Sequence, residues 1–173
     1  LKGRTAARYL GGVDTGTVLY RRATFVTHLP VAYLYTPAHC WLARVGEDPA
    51  GTRWRVGYTK FALRMLGEVV DVQWERAPGQ PVEPGDVLGS IEGFKALSDI
   101  YCAGRGRFAG GNPALHGALA AVNEQPYDAG WLYEFTGEPD PRAMDINGYR
   151  DLLDATIDRI LERQQQQDPE FNV

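Results

Sequence analysis

Apolar and polar residues alternate over much of this chain, and a rhythm of three and four surfaces in only a few places. From 17 to 45, TVLYRRATFVTHLPVAYLYTPAHCWLARV is dense in β-branched and aromatic residues, with Pro30 and Pro37 as punctuation, and predicts two or three strands. TRWRVGY (52–58) alternates cleanly. Thr59 can then cap a short helix, KFALRML, closed by Gly67, with Phe61, Met65 and Leu66 as its buried face. EVVDVQWE (68–75) alternates again, and APGQPVEPGD (77–86) supplies turn residues before the next strand. GSIEGFKALSDIYCAG (89–104) reads as two short strands joined by a Gly-Phe-Lys-Ala tip. A Gly-rich run, a helical piece opened by Asn112 and Pro113, and a strand GWLYEFTG complete a mainly β core ending near Gly137.

Beyond a Pro-rich link, EPDPRAMD, the apolar residues Ile146, Tyr149, Leu153, Ile157 and Ile160 recur at three and four. That spacing marks an amphipathic helix that should pack on the core. RQQQQDPEFNV has no apolar period and is expected to fray. The pattern divides the chain into an extension of unknown role (1–30), a core domain (31–137) and a segment of link, helix and tail (138–173).

Composition narrows the function. The 173 residues are 44% apolar and carry 18 basic against 22 acidic side chains, so nucleic acid is a poor partner. No apolar run approaches the roughly 20 residues that cross a bilayer, which predicts a soluble chain with no membrane partner. The acid-free opening LKGRTAARYLGG reads as an ordinary flexible terminus in preference to a transit peptide. Cys40 and Cys102 are too few for a disulfide framework, and a reducing compartment suits them. Only three lysines, Lys2, Lys60 and Lys95, stand beside fifteen arginines, so an enzyme that modifies lysine has few targets.

Two motifs fail on context. GRGRFA (104–109) has the spacing of a dinucleotide fingerprint, but Gly110, Gly111, Asn112 and Pro113 leave no helix start to hold a pyrophosphate; a turn between strands is expected. His28, His39, Cys40, Cys102 and His116 show no metal-ligand spacing, and no metal is expected. A Cys-His nucleophilic pair has no local support.

Lys95 has the most distinctive setting. Phe94, Ala96 and Leu97 surround it, with Glu92 three residues before and Asp99 four after. An apolar tip carrying one lysine invites recognition, and a tight bend would project the amine clear of the fold. Lysine amines are ordinarily protonated and unreactive near neutrality, so acylation by a dedicated enzyme is the role that fits.

The sequence here resembles the glycine cleavage H proteins of the lipoyl/biotinyl carrier fold. VGYTKFALRMLGEVVDV (56–72), EGFKALSDIYCAGRG (92–106) and VNEQPYDAGW (122–131) follow three family motifs in order and at similar spacing, within a similarity running from about Tyr35 to Phe135 and a weaker echo in YRDLLDATIDRIL. The resemblance implies a barrel-sandwich hybrid of two antiparallel sheets, making 31–137 a lipoyl-carrier domain with lipoic acid amide-linked to Lys95. It implies that lipoate-attaching enzymes read Glu92 and Gly79, with Asp99 retained beside the tip. It also implies a non-catalytic carrier serving a pyridoxal-phosphate glycine decarboxylase, a folate-dependent aminomethyltransferase and a flavin dihydrolipoamide dehydrogenase. The setting would be the bacterial cytoplasm, or the mitochondrial matrix in a eukaryote.

The chain departs from that pattern at several places. Cys40 stands where the family has glutamate and Phe61 where it has histidine, two positions associated with holding the loaded arm in a groove. Gly93-Phe94 replaces Ser-Val, Ala103 replaces a proline, and residues 1–30 have no recognised counterpart. Two further readings stay open: an H-like carrier in lipoate relay or another lipoyl-dependent pathway, and an unmodified interaction domain. A biotin carrier would place its lysine between two methionines, where this chain has Phe94 and Ala96.

Overall fold

The computed structural model describes residues 9, 10, 13, 14 and 16–167. Its strands are β1 (Tyr9–Leu10), β2 (Val13–Asp14), β3 (Thr17–Arg22), β4 (Phe25–Pro30), β5 (Leu34–Tyr35), β6 (Cys40–Asp48), β7 (Gly51–Tyr58), β8 (Val69–Trp74), β9 (Pro81–Val82), β10 (Val87–Gly93), β11 (Leu97–Tyr101), β12 (Gly104–Gly111) and β13 (Tyr133–Pro139). The α-helices are α1 (Lys60–Leu66), α2 (Ala121–Glu124) and α3 (Ile146–Gln167), with a 3-10 turn at Pro113–His116. One sheet has the order β5-β6-β7-β13-β12-β9 and a second the order β11-β10-β8. Each pairing is antiparallel. This is the mainly β core that the alternation predicts, arranged as the sandwich of two antiparallel sheets that the resemblance implies, with its inserted helix and C-terminal helix.

Two apolar cores hold it. Leu42, Val56, Leu88, Ile91, Ile100, Phe108, Tyr133 and Phe135 fill the space between the sheets. Along the second half of β10 inward and outward positions alternate, with Ile91 and Gly93 buried and Glu92 exposed, while a register shift near Val87 and Gly89 leaves both Leu88 and Gly89 buried. The second core lies outside the sandwich: Tyr20, Phe25 and Leu29 from the β3–β4 hairpin meet Tyr35, Trp41, Phe61 and the Ile146, Tyr149, Leu153 and Ile157 stripe of α3. Arg22 adds a bidentate pair to Asp158 at 2.8 and 2.7 Å, and the Tyr20 hydroxyl donates to Asp154 at 2.7 Å. The last residues of the N-terminal segment, 17–30, are thereby clamped to the last helix.

The structure corrects three local expectations. In α1 the buried residues are Phe61, Leu63 and Leu66, while Met65 is 58% exposed. The helix is packed on two sides: Leu63 and Leu66 enter the first core and Phe61 the second, and Met65 lies outside both. GRGRFA is part of strand β12, not a turn. Its glycines answer interstrand crowding: Gly106 has φ 150°, faces Gly137, and a Cβ there would lie 1.9 Å from the Thr136 carbonyl oxygen. The run RQQQQ is helical to Gln167, since Arg and Gln are good helix formers without any apolar period. The rest of the expected tail, 168–173, lies outside the described residues, as does LKGRTAARYLGG apart from Tyr9 and Leu10.

The second core generates a stability test. Leu153 is fully buried, so Leu153→Ala should cost about 2–5 kcal/mol in urea unfolding, with loss of the α3 and β3–β4 contacts together. A loss below about 1 kcal/mol would show that α3 is not structurally required.

Candidate functional site

The site begins with a helix too short to stand alone. Seven residues are marginal as an isolated helix, so α1 depends on its ends. Thr59, fully buried, caps the N-terminus by accepting from the Ala62 N–H, and its hydroxyl shares a 2.8 Å hydrogen bond with Tyr149. The Tyr127 hydroxyl accepts from the Lys60 N–H at 3.1 Å. At the C-terminus, Gly67 adopts φ 83° and donates to the Leu63 carbonyl at 2.8 Å. Asn123 braces the following turn: its Nδ2 donates to the Gly67 carbonyl at 3.1 Å and its Oδ1 accepts from the Val69 N–H at 2.9 Å.

The bend between β10 and β11 sits on this helix end. Glu92 pairs with Leu97, Ser90 with Asp99, and the Gly93 N–H donates to the Ala96 carbonyl at 2.9 Å. Phe94 N–H donates to the Glu68 carbonyl and Lys95 N–H to the Leu66 carbonyl, both at 3.0 Å. Carbonyls at a helix C-terminus lack partners within the helix, and here the bend supplies one. Close approach dictates glycine at 93, and at 67 the φ of 83° favours it. A Cβ on Gly93 would lie 2.3 Å from the Leu66 carbonyl oxygen, and one on Gly67 3.1 Å from Lys95 Cγ.

Lys95 occupies the tip as expected, and Phe94 and Leu97 beside it are 74% and 72% exposed. Its amine, however, does not project clear of the fold. The exposed side chain turns back along α1 and Nζ donates to the Arg64 carbonyl at 3.1 Å, drawn by the negative end of the helix. The residues expected to matter for attachment fall in two places. Glu92 points outward from β10, across from Asp71 of β8, and Asp99 is exposed on β11 with the Tyr101 hydroxyl 3.5 Å from its carboxylate. Both belong to the Lys95 hairpin. Gly79 follows the opposite end of β8, where Trp74 faces Gly89, so about six residues of strand, roughly 20 Å, separate it from the tip. Its φ is 90° and its N–H donates to the Phe108 carbonyl at 2.7 Å.

A groove of about 650 Å³ runs between α1 and β11, starting at Ala96 and Leu97. Ala62, Met65 and Leu66 form one wall; His39, Cys40, Cys102 and Asp99 are also on its lining. Burial pushes the Cys40 thiol up to about 12 and the Cys102 thiol up to about 11, so both are protonated near neutrality. Burial also holds His39 down at about 4, so its ring is neutral. Asp140 is paired to Arg142 at 2.9 Å, and the hydrogen bond from that guanidinium lowers its carboxyl. Phe61 is not on the groove; it packs edge-on against Phe25 at 5.5 Å and beside His39 at 4.6 Å. Among the described residues no group of three or more His, Cys, Asp or Glu side chains is arranged to hold a metal ion. No helix among them is long and apolar enough to cross a membrane.

Sequence reasoning located the lysine and missed its seat. The carbonyls of Arg64, Leu66 and Glu68 carry no side-chain signature; Gly67 and Asn123 were the available signals.

Comparison with known proteins gives one answer. The family described as Glycine cleavage H-protein matches residues 33–152. A glycine cleavage system H protein of Kocuria rhizophila is 36% identical over 132 residues, 75% of this chain and 100% of that protein. The one from Micrococcus luteus is 38% identical over 127 residues, 72% and 96% of the two chains. The crystal structure of a glycine cleavage system H protein from Mycobacterium marinum aligns with a TM-score of 0.60 at 31% identity, covering 70% of this chain and 95% of that one.

His39 generates a pH test. Its folded value of about 4 lies below the ordinary 6.5, so the unfolded chain takes up a proton first as pH falls and stability drops between those values. Between pH 7 and 5 the loss from this group should reach up to about 2 kcal/mol. His39→Asn, which tolerates the φ of 62° at that position, should flatten the slope measured by urea unfolding. Equal slopes in the two proteins would mean that His39 titrates normally.

Proposed function

The chain belongs to the glycine cleavage H-protein family, and we propose on that basis that it is the lipoyl carrier of a glycine cleavage system, with Lys95 as the residue that is acylated. The observation that carries the assignment of the lysine is its position: the described chain places one amine at a strand bend, exposed, with its backbone fixed to α1. Lys60, the other described lysine, lies in the first turn of α1 without that setting.

The residues present suit a lipoyl group. The groove opens beside the tip, is lined by Ala62, Met65, Leu66 and Leu97 with two protonated thiols, and matches an apolar chain attached at Lys95. Once bound, lipoate supplies a dithiolane, a thiol-disulfide couple that can also take up an aminomethyl group. The protein's own residues present the attachment point and shelter what is attached; they catalyse no step alone. Glu92, on the same hairpin and pointing to solvent, and Asp99 suit recognition by a lipoate-attaching enzyme, with Gly79 read at a distance. The partners of this reading are the glycine decarboxylase, the aminomethyltransferase and dihydrolipoamide dehydrogenase. A bacterial cytoplasm, the compartment of a soluble carrier among bacterial relatives, completes it.

The test is intact mass after co-expression with a lipoate-attaching enzyme. The unaltered chain and Lys60→Arg should each gain one lipoyl increment, and Lys95→Arg none while unfolding at the same urea concentration. Glu92→Gln should slow the gain without changing the fold. An increment on Lys95→Arg would place the attachment elsewhere. Loaded protein that fails to support exchange of bicarbonate into glycine with the decarboxylase would move the carrier to another lipoyl-dependent pathway.

A further inference from the structure

Helix α1 separates two depressions. Ala62, Met65 and Leu66 face the apolar groove, whereas Lys60, Leu63, Arg64 and Gly67 face a second cleft of about 400 Å³. At 3.6 residues per turn these two sets lie on opposite sides of the helix. The Lys95 side chain lines the second cleft, consistent with its amine resting on the Arg64 carbonyl. The far wall of that cleft is the turn of the β3–β4 hairpin, Thr24 to Val26. This wall is tied to the helix. The Arg64 guanidinium donates to Thr24 Oγ1 at 3.1 Å and lies 5.8 Å from the Phe25 ring, and Phe25 packs on Phe61. The hairpin spans 17–30, ahead of the family match that begins at residue 33.

Resting on the carrier reading above, we propose that the lipoate-attaching enzyme approaches Lys95 through this cleft and reads Lys60, Arg64 and the β3–β4 turn, so that the N-terminal hairpin is a recognition element for acylation. The occupant follows from the chemistry. An enzyme that acylates Nζ has to bring an activated lipoyl carbonyl, as an acyl phosphate anhydride or a thioester, to the place where Nζ lies. There the Lys95 ammonium first gives one proton to a base of the enzyme, the neutral amine nitrogen then bonds to the carbonyl carbon, the bond to the leaving group breaks with its electron pair departing on that group, and the nitrogen sheds a second proton to become the amide. The side chains lining the cleft include three cations, Lys60, Arg64 and Lys95, against one carboxylate, Glu68. Charge complementarity therefore selects a partner with an acidic rim, and desolvation of Lys95 as it leaves the Arg64 carbonyl is offset by that rim. The apolar groove on the other side stays free for the arm after attachment.

The experiment is steady-state lipoylation of the full chain by a purified lipoate-attaching enzyme with lipoate and magnesium ATP, followed by intact mass. The reversals Lys60→Glu and Arg64→Glu and the added charge of Thr24→Glu are compared with Arg159→Glu, a reversal at an exposed residue of α3. Each cleft variant should raise KM for the carrier about tenfold with kcat within about twofold, while Arg159→Glu stays at the wild-type KM. KM of the unaltered chain should climb with salt and lose that dependence in Arg64→Glu, a readout that simple destabilisation would not move. Labelling of all three variants at the wild-type KM, or KM rising equally in Arg159→Glu, would overturn the approach through the cleft and leave the carrier reading intact. An unaltered chain that accepts no lipoyl group would overturn both.

Discussion

The presentation of the amine depends on one contact, the seating of a strand bend on the end of a seven-residue helix. Two backbone donors of the bend, at Phe94 and Lys95, fill carbonyls that α1 and the turn after it leave open. Moving the tip would expose those groups without partners, at a cost comparable to a lost hydrogen bond for each. The helix in turn is too short to persist unaided. Thr59 and Tyr127 hold its start, Gly67 and Asn123 its end, and the two cores take its buried residues. The three motifs of the resemblance are widely separated in sequence, and each places residues at this helix or at the bend it seats. They read as one mechanical assembly.

That assembly was legible from the chain to different depths. Alternation gave the strands, and Thr59 with Gly67 gave both ends of α1, because capping is local chemistry. Lys95 stood out through its own neighbours. What holds it did not, because its backbone partners lie some thirty residues earlier and a carbonyl looks alike under every side chain. Met65 was assigned inward on the assumption that a short helix has a single buried face; α1 instead sends Leu63 and Leu66 into the first core and Phe61 into the second, formed by distant segments, and Met65 is left outside both. The glycines of β12 read as a turn because their real reason, the close approach of β13 at Gly137, is tertiary.

Two departures from the family pattern turn out to be one adjustment. The resemblance leads to histidine at position 61 and offers no counterpart for the first thirty residues. In the structure Phe61 and Phe25 of that N-terminal segment meet edge to face at 5.5 Å, both buried. Edge-on aromatic packing of this kind contributes about 0.5–1.5 kcal/mol beyond the area buried. An imidazole in the same place would bring ring nitrogens into an apolar contact and need partners that Phe25 cannot supply. The hairpin and the phenylalanine therefore belong together.

On the other side of the helix, Cys40 lines the groove and packs in the same core as Leu63 and Leu66 of α1. A thiol kept protonated by burial adds volume and polarisable surface without charge. His39 beside it is neutral for the same reason, Cys102 is protonated, and Asp140 is engaged by Arg142. The other carboxylate on the groove is that of Asp99, which is exposed and accepts only from the Tyr101 hydroxyl, with no ion pair among the described residues. An uncharged apolar chain can lie along such a lining at little cost, whereas a cationic end group would lose hydration there unless it stayed beside Asp99. If Lys95 carries the arm as proposed, the position of any charge on it is set by the hairpin, where Asp99 lies four residues from Lys95, and not by the floor of the groove.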